Sequence, residues 1–330
     1  MINGHKISGY LLSYNNEETI KKALNSFYGL CDEIIAFIDT KTNDKTREII
    51  EEEAKTHPIK IYDFELNGNW ADARNFALSK CSGDWIITVD ADEWFDEKGK
   101  EQIKELIKKD CDVWEVIQYS YADNGEIMLV SAIRIFRKGL YYTLPTHETL
   151  TDAINKKGYR VGKSNVIMYH TGYLGNTDYK IERNYKILNE KHPLYDYYMG
   201  MLQIKNKEDA EENLLRALKK VNNTPLIAFI YNSLAGVYMG RNEIYSAITA
   251  LNISLDIEPI QNAAHKILAD IYLTVGMLDE ALTHLEFIKE NSKIIKCRVF
   301  NDRIYTGIEQ AISELTDFKE KTINQLKINN

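Results

Sequence analysis

The chain has 330 residues, of which 44% are hydrophobic and 27% are charged, and its formal net charge is −8. This length exceeds what one ordinary hydrophobic core organises, so we expect two domains. The negative charge argues against a nucleic-acid partner held by a general basic field. No apolar run reaches the roughly 18 residues that a membrane span requires.

Four cysteines are scattered along the chain, and no two of them form a C-x-x-C pair. That pattern favours reduced thiols over a disulfide framework or a zinc site. The N-terminus lacks the charged segment and apolar segment of a secretory signal. We therefore expect a cytoplasmic protein without stable membrane insertion, although peripheral contact with a lipid-linked acceptor is compatible with the sequence.

The first half of the chain alternates short apolar runs with helical patterns, which is typical of an α/β fold with a parallel sheet. The predicted strands are 7–13, 33–38, 59–64 and 84–89, and predicted helices follow the first three of them. In an open sheet of this kind, ligands bind at the carboxyl ends of the strands. Polar residues directly after the strands are therefore the first candidates for a site.

The apolar run that ends at Val89 is followed at once by Asp90-Ala91-Asp92-Glu93. At strand spacing Asp90 and Asp92 point the same way, and two neighbouring carboxylates repel each other unless a cation lies between them. Oxygen ligands suit Mg²⁺ or Mn²⁺, which take the rest of their shell from water and substrate phosphates. The alternative is an acidic, solvated turn, because an Asp-x-Asp motif is short.

Four short motifs between residues 14 and 93 carry a family resemblance. They are Tyr14-Asn15-Asn16-Glu17, Asp39 after a strand, Ala73-Arg74-Asn75 and Asp90-Ala91-Asp92-Glu93. In this order and at these intervals, they resemble family 2 glycosyltransferases, whose catalytic domain has the GT-A (Rossmann-like) fold. The resemblance implies an inverting transfer of a sugar from a nucleotide-sugar donor, usually a UDP-sugar.

The resemblance also implies roles in binding the nucleotide. Tyr14, in one loop with Glu17, would lie against the uracil face, Asp39 would bond the uracil edge, and Arg74 would reach the base or the phosphates. The alternatives are a loop aromatic packed on its own strand for Tyr14, a turn cap for Asp39 and a surface charge for Arg74. We favour ligand roles for Asp39 and Arg74 because both lie where a parallel sheet opens to ligand.

For the metal, the resemblance implies that Asp90 meets the ribose and the ion and that Asp92 binds the ion bridging the diphosphate. Such a cation stabilises the charge that develops on the β-phosphate when the sugar leaves. His170 ends a further apolar run and resembles the histidine that completes the metal shell in GT-A enzymes. Imidazole is softer than the ligands Mg²⁺ prefers, so Mn²⁺ is expected to be accepted as well. The alternative for His170 is a polar strand end.

Residues 112–119 and 127–130 read as alternating strands joined by a hairpin turn at Asn124-Gly125. An attacking acceptor hydroxyl or thiol loses a proton, which requires a base. The resemblance places His147 and Glu148, which come next, beside the acceptor. Histidine has the pKa nearer neutrality, but the family more often uses a carboxylate, so we rank Glu148 first. The alternative is a partly buried histidine followed by a helix-start residue.

From about residue 190 the pattern is helical and no further strands are predicted. Pro193, Pro225 and Pro259 each look like a first helical residue, and their spacings are 32 and 34. A 34-residue period of helix pairs resembles tetratricopeptide repeats, which stack around a shared core. We predict a GT-A catalytic domain at 1–190 and a tetratricopeptide-like domain at 191–330 that ends in a capping helix.

The leading hypothesis is a metal-dependent inverting transferase that moves a hexose, with glucose as first choice, from a UDP-sugar to a Cys or Ser side chain of a peptide. A catalytic domain followed by such repeats resembles the enzymes that glycosylate bacteriocin peptides, and the repeats would hold the peptide or pair subunits into a homodimer. The second hypothesis is a transferase that acts on cell-surface glycans or lipid-linked acceptors. The third is a non-catalytic helical-repeat adaptor, against which the intact acids and Arg74 argue.

Overall fold

The computed structural model describes residues 1–121, 127–145, 148–172, 187–188, 192, 194–221, 224–292 and 302–328. These residues form two compact units. The first unit contains residues 1–121, 131–172 and 187–188, and the second contains 127–130 together with the described residues from 192 onwards. The predicted domain boundary between residues 190 and 191 falls outside the described residues and stays a prediction.

The first unit is built on a mixed sheet covered by helices. The strands in chain order are β1 (Ile7–Ser13), β2 (Glu33–Asp39), β3 (Ile59–Phe64), β4 (Trp85–Thr88), β5 (Glu93–Trp94), β6 (Val113–Tyr121), β7 (Ile127–Arg137) and β8 (Val161–His170). The helices are α1 (Ile20–Asn25), α2 (Thr46–Glu53), α3 (Trp70–Lys80), α4 (Glu97–Ile107) and α5 (Thr151–Lys157). The strand order is β3-β2-β1-β4-β7-β6-β8-β5.

Strands β3, β2, β1 and β4 are parallel to one another. Every residue of β1 and β2 is buried, as expected for parallel strands whose two faces are both covered. One apolar cluster includes Ile20 and Leu24 of α1, and a second includes Ala71 and Ala77 of α3. This arrangement confirms the α/β class predicted from the alternating pattern.

The other half of the sheet brings distant parts of the chain to the end of β4. Strand β7 runs antiparallel to β4, and β8 runs parallel to β6. The two-residue strand β5 pairs with the end of β8, so that Glu93 lies opposite His170 and Trp94 lies opposite Tyr169. The acids that follow β4 are thereby placed beside the last residue of β8.

Strand β4 ends at Thr88, one residue earlier than the apolar run suggested. Asp90 and Glu93 close a tight turn, because the Glu93 amide donates to the Asp90 carbonyl at 2.9 Å. The Asp90 amide in turn donates to Glu93 Oε2 at 2.9 Å. The expectation that Asp90 and Asp92 continue the strand spacing of β4 is therefore wrong, since both lie in a turn.

The second unit is mainly helical. Its helices are α6 (Tyr195–Lys205), α7 (Glu211–Lys220), α8 (Thr224–Gly240), α9 (Ile244–Ile257), α10 (Asn262–Thr274), α11 (Leu278–Ser292) and α12 (Ile308–Ile328). Helix α6 packs against α7, α8 against α9 and α10 against α11. Equivalent positions of the proposed repeat, Leu234 in α8 and Leu268 in α10, are both buried. The predicted helical region is confirmed, and its tetratricopeptide-like character stays a prediction.

Two details of this unit differ from the sequence interpretation. A short strand, β9 (Asp302–Ile304), pairs antiparallel with residues 127–129 of β7, so strands do not end near residue 190. Helix α10 begins at Asn262, three residues after Pro259, so this proline is not a first helical residue. Pro193 lies outside the described residues. Within the described ranges, none of the helices combines the length and the hydropathy needed to cross a bilayer.

Candidate active site

Arg74 lies at the centre of the predicted site. Helix α3 starts after Asn69, whose side chain accepts a hydrogen bond from the Asp72 amide, and this start places Arg74 in the second turn. Arg74 is 6% exposed. Its Nε donates to Glu148 Oε1, and its Nη2 donates to Asp90 Oδ1 at 2.7 Å. The buried guanidinium of Arg74 therefore joins Asp90, which is expected to bind the nucleotide-sugar, to Glu148, the first candidate for the base.

A second arginine, Arg134 on β7, holds the other side of Asp90. Its Nη2 donates to Asp90 Oδ2 at 3.3 Å and to Glu93 Oε1 at 2.7 Å, and its Nε donates to Glu93 Oε2 at 2.9 Å. Glu93 is buried and also accepts a hydrogen bond from Gln118 Nε2 at 2.9 Å. The sequence predicted a divalent cation as the partner of Asp90, whereas its carboxylate here has two guanidinium partners.

These contacts affect the two acids differently. Burial disfavours the charged form of Asp90, but the positive charges of Arg74 and Arg134 outweigh burial and lower the pKa of Asp90 to about 2. For Glu93, burial is the largest effect and raises the pKa, although Arg134 opposes it. Asp90 is therefore ionised at neutral pH, and a negative charge on Glu93 depends on its arginine partner.

Asp92 follows in the same turn and lies next to His170 at the end of β8. Its Oδ2 is 3.5 Å from His170 Nε2. The other ring nitrogen, Nδ1, is 2.9 Å from Ser120 Oγ, and outer partners of this kind fix the ring of a metal-binding histidine. A Cβ atom at Gly172 would lie 2.3 Å from the Asp92 oxygen and 2.4 Å from the His170 nitrogen. The space beside both donor atoms thus depends on a residue without a side chain.

Asp92 and His170 together provide one carboxylate and one imidazole for the expected metal. In the described part of the chain, no three His, Cys, Asp or Glu side chains are grouped as a metal site. Mg²⁺ commonly uses only one or two carboxylates and completes its shell with waters and substrate phosphates, and a carboxylate beside an imidazole also suits Mn²⁺. Asp92 and His170 fit such a site, while both oxygens of Asp90 already accept hydrogen bonds from arginines.

Asp39 is the last residue of β2, and Glu17 lies in the loop that follows β1. Asp39 is buried, and its two oxygens accept hydrogen bonds from the amides of Lys41 at 2.8 Å and Leu66 at 3.1 Å. Glu17 Oε2 accepts a hydrogen bond from the Lys45 amide at 3.0 Å. The Asp39 carboxylate holds the following turn in the way the turn-cap interpretation predicts, and Glu17 holds the backbone at Lys45. The contacts of both residues with a nucleotide stay a prediction.

Tyr14 is 54% exposed in the loop after β1, so its ring is accessible to a base. Glu148 precedes α5 by three residues, so the alternative interpretation as a helix-start residue is wrong, because the backbone becomes helical only at Thr151. His147 lies outside the described residues.

The sequence interpretation assigned no role in the site to two members of this cluster, Arg134 and Glu93. Glu93 was read only as the last acid of a motif, although it is the most enclosed of the three. A signal for Arg134 was present, since a charged residue within the otherwise apolar run 132–136 requires a partner. The identity of that partner depends on the antiparallel pairing of β7 with β4, which no local pattern encodes.

Comparison with known proteins places this chain in a family. Residues 10–175, which are half of the chain, match the family model described as glycosyl transferase family 2. A poly-beta-1,6-N-acetyl-D-glucosamine synthase of Staphylococcus epidermidis is 33% identical over 151 residues, which cover 45% of this chain and 37% of that protein. The SPbeta prophage-derived glycosyltransferase SunS of Bacillus subtilis is 24% identical over 240 residues, which cover 64% of this chain and 52% of that protein.

Among solved structures, S. aureus TarS 1-349 in complex with UDP-GlcNAc is similar over 87% of this chain and 92% of that chain, with 15% identity and a TM-score of 0.45. The chain spans little more than a third of the length of the synthase and about half the length of SunS. The segment matched by the family model contains every candidate residue from Tyr14 to His170. The chain belongs to glycosyl transferase family 2.

Proposed function

We propose that this protein is a metal-dependent inverting glycosyltransferase, which moves a hexose from a UDP-sugar to a Cys or Ser side chain of a peptide, with glucose as the first candidate sugar. The observation that carries the proposal is the pair of Asp92 and His170, 3.5 Å apart in the space left by Gly172. Asp92 lies in the turn after β4, at the edge where an α/β sheet binds its ligand, and His170 ends β8. Arg74 and Arg134 both pair with Asp90 of the same turn.

The residues of the chain account for the donor side of the reaction. When the bond between sugar and diphosphate breaks, negative charge develops on the β-phosphate oxygen. A bound Mn²⁺ or Mg²⁺ supplies positive charge at that oxygen. Asp92 and His170 would hold the ion, His170 through Nε2 because Nδ1 lies against Ser120. Arg74 and Arg134 keep Asp90 ionised, and they would hold it beside the ribose.

On the acceptor side, Glu148 is the first candidate for the base and His147 the second. The base has to reach the acceptor O–H or S–H within hydrogen-bond distance. A thiol, with an ordinary pKa of about 8.5, gives up its proton far more readily than an aliphatic hydroxyl, so a carboxylate base is better matched to Cys than to Ser. Arg74, which donates to Glu148 Oε1, would hold this base on the donor side of the acceptor.

The helical unit would hold the peptide acceptor as tetratricopeptide-like repeats, or pair two copies of the chain into a homodimer. We place the protein in the cytoplasm, where thiols stay reduced, and Cys31, Cys81 and Cys111 are free thiols. A second candidate function is transfer to a cell-surface glycan or a lipid-linked acceptor, which the similarity to the N-acetyl-D-glucosamine polymer synthase favours.

The donor half of the proposal is tested by following UDP release from UDP-glucose in the presence of Mn²⁺. Asp92→Asn and His170→Ala should each lower kcat/KM by about 100-fold, the usual loss when one preorganised charge contact is removed. Asp84→Asn is the matched control, because Asp84 lies just before β4, at the opposite end from the site, and accepts a hydrogen bond from the Lys6 amide. Turnover of Asp92→Asn equal to that of the wild type would remove the metal role.

The acceptor half is tested by mass spectrometry of peptides incubated with the protein and UDP-glucose. Addition of one hexose to a Cys-containing peptide, and none to the same peptide with that Cys replaced by Ala, is the expected result. Modification of a Ser-containing peptide alone would assign O-transfer. Hexose addition to a glycan or lipid-linked acceptor, with every peptide unmodified, would favour the second candidate.

A further inference from the structure

We infer that Glu93 and Arg134 are positioning residues, which set the geometry of the turn from Asp90 to Asp92 for a metal-bound diphosphate. The inference rests on the proposed function and deepens it. Neither residue is among the candidate ligands of the metal, the nucleotide or the acceptor. Both act on the site through the residues that are.

Glu93 connects the turn to two other strands. Its side chain is buried and accepts hydrogen bonds from the Asp90 amide, from Gln118 of β6 and twice from Arg134 of β7. A buried carboxylate is costly unless its hydrogen bonds are satisfied. Four donors satisfy this one, so the backbone of Asp90 is fixed relative to both strands.

Arg134 fixes the side chain of the same aspartate. Its Nε and Nη2 grip the two Glu93 oxygens as a fork, at 2.9 and 2.7 Å, and Nη2 also donates to Asp90 Oδ2 at 3.3 Å. Arg74 holds the opposite oxygen, Asp90 Oδ1, at 2.7 Å. A planar guanidinium forms such a fork and an ammonium group does not. Lysine at position 134 would therefore keep the charge and lose the geometry.

This turn also determines the distance between the two proposed metal ligands, Asp92 and His170. The backbone of Glu93 pairs with that of His170 in the ladder of β5 and β8, and the Asp92 carbonyl accepts a hydrogen bond from the Thr171 amide at 3.1 Å. The position of Glu93 therefore also fixes the position of Asp92 relative to His170. If Glu93 loses its arginine, β5 is free to shift, and the separation of the two donor atoms shifts with it.

The inference is tested by calorimetric titration of UDP into the full-length protein, with and without Mn²⁺. The variants are Arg134→Lys, Arg134→Gln and Glu93→Gln. Arg137→Lys is the matched control, because Arg137 lies on the same strand and stacks on the Trp85 ring at 4.4 Å, away from the acids. Thermal unfolding of each variant is recorded beside the titration.

Arg134→Lys should stay folded and bind UDP with Mn²⁺ about 10-fold more weakly than the wild type, the lower end of losses from outer-shell changes at metal sites. Its affinity for UDP without Mn²⁺ should change less than twofold, and Arg137→Lys should match the wild type under both conditions. Glu93→Gln should show the same metal-dependent loss, since it removes the anchor for the Arg134 fork. If Arg134→Gln does not fold, the UDP affinities of Arg134→Lys and Glu93→Gln test the inference without it.

Three results would count against parts of this account, and they differ from one another. A lowered melting temperature with unchanged UDP affinity in Mn²⁺ would make the pair a structural ion pair and overturn the inference. An equal loss with and without Mn²⁺ would also overturn it, by assigning Arg134 to direct contact with the nucleotide. Failure of the wild-type protein to bind UDP under either condition would instead contradict the proposed function.

Discussion

Replacing Arg74 with glutamine removes the guanidinium that joins Asp90 to Glu148 and should destabilise the first unit. The guanidinium is paired with Asp90 and Glu148, whose side chains are 34% and 14% exposed, and it is itself 7% exposed. Removing one partner of a buried ion pair costs about 3–5 kcal/mol. Because Asp90 still has Arg134 as a partner and is partly solvated, we expect a loss in unfolding free energy at the lower end of this range, about 3 kcal/mol.

The loss is measured by tryptophan fluorescence during heating. All four tryptophans of the chain lie between residues 70 and 114, in the first unit, so the signal reports that unit alone. For a unit of this size, about 3 kcal/mol corresponds to a fall of roughly 6–12 °C in the melting temperature. Arg47→Gln is the surface control: the pair of Arg47 and Asp63 is 39% and 60% exposed, and such pairs contribute about 1 kcal/mol or less.

The double variant Arg74→Gln with Glu148→Gln separates the ion pair from other effects of the substitution. If the two residues stabilise each other, the double variant should be less destabilised than the sum of the single variants, by about 1–3 kcal/mol. If the losses of unfolding free energy in the two single variants add up to the loss in the double variant, Arg74 and Glu148 do not stabilise each other. A fall in melting temperature for Arg74→Gln no larger than that for Arg47→Gln would likewise refute a stabilising network around Arg74.

Three further outcomes are expected. Gly172→Ala should crowd Asp92 and His170 and raise about 10-fold the Mn²⁺ concentration needed for half-maximal UDP release; an unchanged requirement would show that this space is not used. Treatment with EDTA should abolish UDP release, and Mn²⁺ should restore it; full activity in EDTA would exclude a metal requirement. In the second unit, burial and the neighbouring His284 lower the pKa of His265 to about 4, whereas the unfolded side chain binds a proton near pH 6.5. Stability against urea, followed by circular dichroism, should therefore fall between about pH 6.5 and pH 4. His265→Gln should flatten that fall, and a wild type with constant stability in this range would contradict it.

Strands β1 and β2 were predictable because fully covered parallel strands read as continuous apolar runs bounded by turns. Strand β3 lies at the edge of the sheet, and its half-buried residues alternate with exposed Lys60 and Asp63. The end of β4 was not predictable. Val89 continues the apolar run, yet the strand stops at Thr88, because the carboxylate of Glu93 binds the Asp90 amide and closes a turn. A side chain that binds the backbone three residues away competes with the sheet ladder, and strand patterns do not register it.

Asp39, Asp90 and His170 could be selected from their positions at strand ends, and Arg74 and Glu148 from the family resemblance, whereas the partners of these residues could not be predicted. Arg74, Asp90 and Glu148 meet because α3 and the segment before α5 converge at the end of β4. His170 meets Asp92 because β5 pairs with β8. Contacts of this kind join segments tens of residues apart, and they follow from the order of strands in the sheet, which the sequence interpretation left open.

The most direct test of the central claim is a crystal structure of the protein soaked with UDP and Mn²⁺, in which the anomalous signal of manganese locates the ion. We expect one manganese ion bound to Asp92 and to His170 Nε2, with the diphosphate of UDP as a further ligand. Manganese and diphosphate at another place, or density for UDP at this place without the ion, would contradict that claim.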